Sequence, residues 1–210
     1  MLRKLFLTVL VAPPLLAQAA FEGTVSMNLA IGNGSPSAVT FMIKGGKMRF
    51  DPTTGPNGPM ISVILDNTAQ RMTVMMNQQK MFMEREFPSA AAVQAQTGVK
   101  APALVKTGKM EMVAGYKCEH YTITDTDGGA VDTCISTELG GFRMPAGANP
   151  MAPQGEAGWI TQLPLGAFPL KVQKGGKVVV EVTAIQKKPL DPELFLPPMD
   201  YKEFQMPRKP

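Results

Sequence analysis

The sequence predicts a mainly β domain, an antiparallel sheet folded strand by strand. Three observations lead there. After residue 20, short runs alternate apolar and polar residues, the pattern of half-buried strands. Turn residues punctuate these runs, among them the two matching hairpin signals Lys44-Gly-Gly-Lys47 and Lys174-Gly-Gly-Lys177. Only one segment, residues 90–96, strongly favours helix.

Residues 1–20 stand apart from this pattern. Arg3 and Lys4 precede an apolar run over 5–16, and Ala17-Gln18-Ala19 offers small residues for cleavage. This reads as a secretory signal peptide, cut after Ala19 or Ala20 and too short to span a membrane. No Cys follows the cut, so attachment as a bacterial lipoprotein is not indicated. Residues 21–210 then form a single domain, in the periplasm or secreted, with no transmembrane segment. The chain's net charge is +4, from 21 basic and 17 acidic residues. Without Arg3 and Lys4 the balance is 19 against 17, or +2. Those lysines are scattered and not interleaved with aromatics, which argues against nucleic acid.

The first strand covers 21–31, with Phe21, Val25, Met27, Leu29 and Ile31 on its apolar side. A turn at 32–36 leads to a second strand with Val39, Phe41 and Ile43, and Met48-Arg49-Phe50 returns after Gly45-Gly46. Residues 51–59 (DPTTGPNGP) are rich in breakers and read as a loop. A three-stranded meander follows: 60–65, 71–76 and 80–84, separated by polar turns. Six of the chain's 16 methionines fall in it. Alternation puts Met72, Val74 and Met76 on one face and Arg71, Thr73 and Met75 on the other, with Met81 and Met83 continuing the pattern.

Ser89 is a candidate N-cap and Gly98 a stop for the helix at 90–96. The chain to Gly108 is low in complexity, and 109–113 is a short strand ending in the turn Ala114-Gly115-Tyr116. Strands 118–124 and 130–136 form a hairpin. Folded about Thr126, it sets Cys118 opposite Cys134, the only two cysteines. In an exported chain this predicts a disulfide closing about 15 residues, worth on the order of 3 kcal/mol. The rival readings are a two-cysteine metal site and a redox pair; there is no CxxC and no second ligand pair to support either. Residues 137–153 read as a long loop and 159–163 as a short helix. Strands 168–172 and 177–185 form the last hairpin, with 178–182 apolar enough for burial on both faces. Asp191 as N-cap with Pro192 behind it predicts a one-turn helix, ended by Pro197-Pro198.

Several pieces, in this order, resemble a family of exported bacterial proteins known as domain of unknown function 4412. They are FEGTV, KGGKMRF, the MISVILD…KMFME meander, AGYKCEHY with its later Cys134, FPLKV, and LDPELFLPP followed by Tyr201-Lys202. That family looks like part of the superfamily of LolA, LolB, LppX and RseB. The resemblance implies a strongly curved antiparallel sheet, a half-open barrel, with a few short helices on its concave side. In LolA-type carriers the cavity holds acyl chains and does no catalysis.

Chemistry narrows the function. His120 is the only histidine, two residues beyond Cys118 and so on the disulfide's face. It has no nucleophile or orienting acid identifiable in sequence, and no GxSxG is present. One histidine excludes the usual zinc sites. No enzyme, cofactor or metal is therefore expected. The methionines admit core packing, the lining of an apolar cavity, or soft thioether ligation of Cu(I); Met75 faces away from Met72 and Met76, against the last. The expected function is a non-catalytic binding protein holding a lipid or lipoprotein acyl chain in a cavity lined by Phe41, Ile43, Met72, Val74, Met76, Met81 and Met83. The alternative is an envelope protein-interaction or sensor module with a closed core, its contacts at 51–59 and 137–158.

Overall fold

A computed structural model describes residues 21–30, 36–55, 58–87, 104–125, 128–139, 163 and 167–204. Alternating sequence becomes strand nearly throughout. Six strands run in succession as one meander: β1 (Gly23–Leu29), β2 (Ser37–Lys44), β3 (Lys47–Gly55), β4 (Gly58–Asp66), β5 (Arg71–Met76) and β6 (Met81–Glu86). Five more form a second: β7 (Val105–Val113), β8 (Tyr116–Thr124), β9 (Ala130–Ser136), β10 (Phe168–Lys174) and β11 (Lys177–Lys187). β11 pairs with β1, so the two meanders join at the middle of one sheet of order β12-β6-β5-β4-β3-β2-β1-β11-β10-β9-β8-β7. The short β12 (Lys202–Glu203) adds in parallel to β6; the other pairings are antiparallel. The sheet is curved and does not close on itself. Register shifts interrupt five of its pairings, and such bulges bend a strand and increase its twist.

Both Gly-Gly hairpins form as expected. Gly45 and Gly46 (φ 56° and 80°) and Gly175 and Gly176 (φ 56° and 75°) hold the left-handed conformations that a two-residue turn of the right twist requires.

The main core lies on one face. From Val25 and Met27 it runs through Phe41, Phe50, Val63 and Leu65 in one direction, and through Val172, Val180 and Val182 toward Ile123 and Val131 in the other. Phe87, Leu104, Leu139, Leu163 and Ala167, from outside the strands, pack into it. A second, smaller core occupies the opposite face of β2–β6. There Ile64 and Met75 meet Leu190 and Phe195, with Met42, Phe82, Leu194 and Tyr201 around them.

The fold class stands as a mainly β, curved antiparallel sheet, with corrections. No α-helix occurs among the described residues, so the expected short helices on the concave side are not seen. Residues 90–96 and all of 159–163 but Leu163 lie outside the described residues; Leu163 is buried and not helical. Pro192–Phe195 does form a single 3-10 turn, capped by Asp191, whose Oδ1 accepts from the Glu193 N–H at 2.9 Å. It packs in the second core, on the face away from the main one. The loop expected at 51–59 is largely strand: β3 continues to Gly55 and β4 starts at Gly58. Register shifts after Phe50 and Thr53 accommodate the prolines there, as bulges do. β7 begins at Val105 rather than Lys109.

Candidate functional site

Register places all seven expected lining residues on one face. Phe41 lies opposite Phe50, with ring centroids 5.2 Å apart, and Ile43 opposite Met48. Met72 pairs with Leu65, Val74 with Val63 and Met83, and Met76 with Ile61 and Met81. Exposure divides them. Phe41, Ile43 and Met72 are buried in the main core. Val74, Met76, Met81 and Met83 are only half-buried. The face is buried at Phe41, Ile43, Met48, Phe50, Val63 and Leu65, and half-buried at Val39 and Ile61 as well as along the methionine strip of β5 and β6. Met75 belongs to the opposite face, as alternation requires, and is buried against Phe195 and its neighbours.

At the other end of the sheet, β7, β8 and β9 gather a cluster of a different kind. The disulfide Cys118–Cys134 is formed, with Cα atoms 5.3 Å apart. The hairpin register differs from the expected one: it folds about position 127, so that His120, not Cys118, lies opposite Cys134. The disulfide therefore bridges diagonally. Glu111 of β7 lies opposite Cys118, and Lys171 of β10 opposite Cys134. The His120 ring, 2 % exposed, sits between two carboxylates. Nδ1 is 2.6 Å from Asp132 Oδ1 and Nε2 is 3.0 Å from Glu111 Oε2. Lys171 Nζ donates to the other Glu111 oxygen at 2.9 Å. That bond, ahead of the one from His120, holds the Glu111 carboxyl below its ordinary range, and Glu111 in turn raises the Lys171 ammonium.

Sequence reasoning recovered Cys118, Cys134 and His120 but missed Glu111, Asp132 and Lys171. Glu111 was accessible. The turn at Ala114-Gly115 sets 111 opposite 118 by simple counting. Lys171 was not, because β10 meets β9 only through tertiary pairing across more than thirty residues.

The family described as Domain of unknown function (DUF4412) has a sequence model that matches residues 21–201. The chain belongs to this family. No curated protein matches it. Two crystal forms of PNGF-II, in space groups C2 and P21, are similar at 13% identity and a TM-score of 0.48, covering 84% of this chain. The chain spans 30% of the PNGF-II chain's length. An uncharacterized conserved protein from Thermus thermophilus is similar at 10% identity and a TM-score of 0.47, covering 90% of this chain and 91% of that one.

What this DUF4412 chain offers chemically is therefore read from its own residues. The methionine strip presents apolar, polarisable surface with no charge among its four half-buried members. The histidine cluster holds a ring fixed at both nitrogens. Thr107 Oγ1 donates to the His120 carbonyl at 3.0 Å. Among the described residues, Glu111, His120 and Cys134 form the one group whose donor atoms lie close enough to share a metal, within 4.8 Å of one another. Cys134 is spoken for by Cys118 while the disulfide stands.

Proposed function

We propose that this DUF4412 chain is a non-catalytic, exported binding protein that holds a lipid acyl chain, or a similarly elongated apolar ligand, against the methionine strip of β5 and β6. The observation that carries this reading is the gradient along one face: buried side chains through Phe41, Val63 and Leu65, then half-buried Val74, Met76, Met81 and Met83. Unbranched thioethers re-pack around varied apolar shapes at little cost, which suits a cargo of variable length. The sequence resemblance to LolA-type carriers points the same way; the solved structures named above add nothing to it. The disulfide fits the oxidising compartment that a signal peptide ending near Ala19 or Ala20 would lead to.

The test is native mass spectrometry of the mature protein taken from the periplasm without detergent, followed by denaturing extraction. A mass excess that extracts as acyl chains is expected. It should vanish in a Met76→Glu, Met83→Glu variant that keeps its β-sheet circular dichroism. A clean apo mass, with no uptake of added fatty acid by the wild type, would sink the proposal.

One observation favours a second reading, the envelope interaction module. β7 is the last strand of the sheet, and Val105, Met110 and Met112 on it are 57%, 48% and 64% exposed. An extended partner could add to such an edge. A photocrosslinker at Met112 would capture one envelope protein under this reading and none under the carrier reading.

A further inference from the structure

We infer that the β7–β9 cluster is a masked zinc site: when the Cys118–Cys134 disulfide is reduced, both thiolates, His120 Nε2 and Glu111 Oε2 bind one Zn2+. The inference is independent of the lipid reading, since it concerns the opposite end of the sheet.

Placement comes first. Glu111 pairs with Cys118, His120 pairs with Cys134, and Cys118 and His120 are two apart on β8. All four donors therefore stand at neighbouring positions on one face of three consecutive strands. The donor atoms of Glu111, His120 and Cys134 already lie within 4.8 Å of one another, and Cys118 Sγ is bonded to Cys134 Sγ. With Zn–S near 2.3 Å and Zn–N near 2.0–2.1 Å, a tetrahedral site needs donors roughly 3.5 Å apart. Small side-chain rotations cover the difference. Two thiolates, an imidazole and a carboxylate are a donor set that zinc, a borderline-soft cation, accepts.

The surroundings are those of a zinc-binding histidine. Such a ring usually gives its outer N–H to a carboxylate, which fixes the tautomer and aims the other nitrogen at the metal. Asp132 Oδ1 at 2.6 Å from Nδ1 does this, and leaves Nε2 pointing toward Glu111. Lys171 holds Glu111 Oε1, which leaves Oε2 for the metal. Cys118, His120 and Cys134 are each at most 2 % exposed, so the site would be closed and structural in type. Charge supplies the need. Reduction and ionisation add two buried thiolates beside the part-exposed carboxylates of Glu111 and Asp132, with Lys171 as the neighbouring ammonium. A divalent cation offsets that excess.

The chemistry balances with a dithiol reductant. It transfers two electrons and two protons to the disulfide, giving two thiols, and its own sulfurs become a disulfide. Zinc binding then displaces the two thiol protons to solvent.

The experiment uses the mature protein, reduced with a phosphine that is then removed under argon, and titrated with Co2+ and afterwards Zn2+. The reduced form should keep its sheet and bind one Co2+ with a thiolate charge-transfer band. Zn2+ should displace the Co2+, and the oxidised form should show no band. His120→Ala and Glu111→Ala should each weaken binding at least tenfold, and Asp132→Asn about tenfold. Because these buried variants can fail to fold, the wild type carries a second readout: one equivalent of Zn2+ should slow alkylation of both reduced thiols at least tenfold. No charge-transfer band, unfolding on reduction, alkylation indifferent to Zn2+, or unchanged affinity in a folded His120→Ala variant would each overturn the inference. The last would mean a two-thiolate contact only.

Discussion

Replacing Gly23 with Ala should be among the most damaging single changes to this fold, although it adds one methyl group. Gly23 opens β1, between β2 and β11, where it pairs with Ile43 on one side and Lys187 on the other. Its φ is 153°, and a Cβ built there would lie 2.0 Å from the Gln186 carbonyl oxygen and 3.1 Å from the Lys187 Cα. These are backbone atoms, so no rotamer relieves the clash. The strands must separate by more than about 1 Å, and the neighbouring Lys188 N–H to Glu22 carbonyl bond, already 3.2 Å, cannot survive that. One or two lost ladder bonds at about 1 kcal/mol each, with about 1–3 kcal/mol of backbone strain, give about 3–4 kcal/mol. That is a large share of a typical domain's 5–15 kcal/mol, roughly stated. Gly175→Ala is the control. Its φ is 56° but nothing lies within 4 Å, so only the left-handed conformation resists it, at about 1 kcal/mol. Urea unfolding of the disulfide-intact mature protein would read both at constant m. Should Gly23→Ala fall within 1 kcal/mol of the wild type, roughly the cost of the control, the close approach of β1 to β11 is wrong.

Three further outcomes follow from the same structure. Replacing Cys118 and Cys134 together by Ser should lower stability by about 3 kcal/mol, because the crosslinked residues are 16 apart; an unchanged urea midpoint would contradict this. Glu22 is held below its ordinary 4.5, first by the Lys44 ammonium and then by the Leu190 N–H. A depressed carboxyl contributes stability that is complete above about pH 4.5 and is lost as pH falls through the lower folded value. Glu22→Gln should therefore flatten the acid limb of the stability–pH curve, and a limb of unchanged slope would count against that pairing. Phe195→Ala should cost about 3–4 kcal/mol and open the second core. Under mild peroxide the fully exposed Met199 should oxidise readily in the wild type, while Met75, 1 % exposed, should become reactive only in the variant. Equal protection of Met75 in both proteins would refute its packing against Phe195.

Local pattern was legible wherever neighbouring strands are joined by short turns. The two Gly-Gly hairpins, the 71–76 and 81–83 alternation, and the opposite orientation of Met75 could all be read by counting. Breakers misled at Pro52 and Pro59, since a bulge tolerates proline and β3 and β4 extend into the expected loop from either side. Gly108 (φ 77°) reads as an end in the sequence, yet β7 passes through it at a register shift. The hairpin about Cys118 was right in partner and wrong in register, because five turn residues fit more than one pairing and a diagonal disulfide satisfies either. The seven residues expected to line a cavity share one face, but their division into buried and half-buried members depends on what covers each strand. Within the His120 cluster only Lys171 needed β10 beside β9, a contact no local rule provides.

The methionine strip gains its character from what happens behind it. On the far face of β2–β6 the C-terminal segment is bound down, by side-chain bonds at β2 and β3 and by Phe195 packed with Met75 at β5. Lys44 Nζ holds the Leu190 carbonyl, Arg49 Nη1 the Leu194 carbonyl at 2.9 Å, and Lys80 Nζ the Asp200 carboxylate at 2.8 Å. The Lys202 and Phe204 N–H groups then donate to the Lys80 and Phe82 carbonyls, which covers the outer edge of β6 at Met81 and Phe82. The backbone beneath the strip is thus fixed from behind and along its edge, while Met76, Met81 and Met83 remain half-open in front. Under the proposed carrier reading, a ligand settling there would order side chains and not strands, so the entropy it must overcome would be confined to a few rotamers. Rigid backbone under soft side chains is what an apolar binding surface of loose specificity requires.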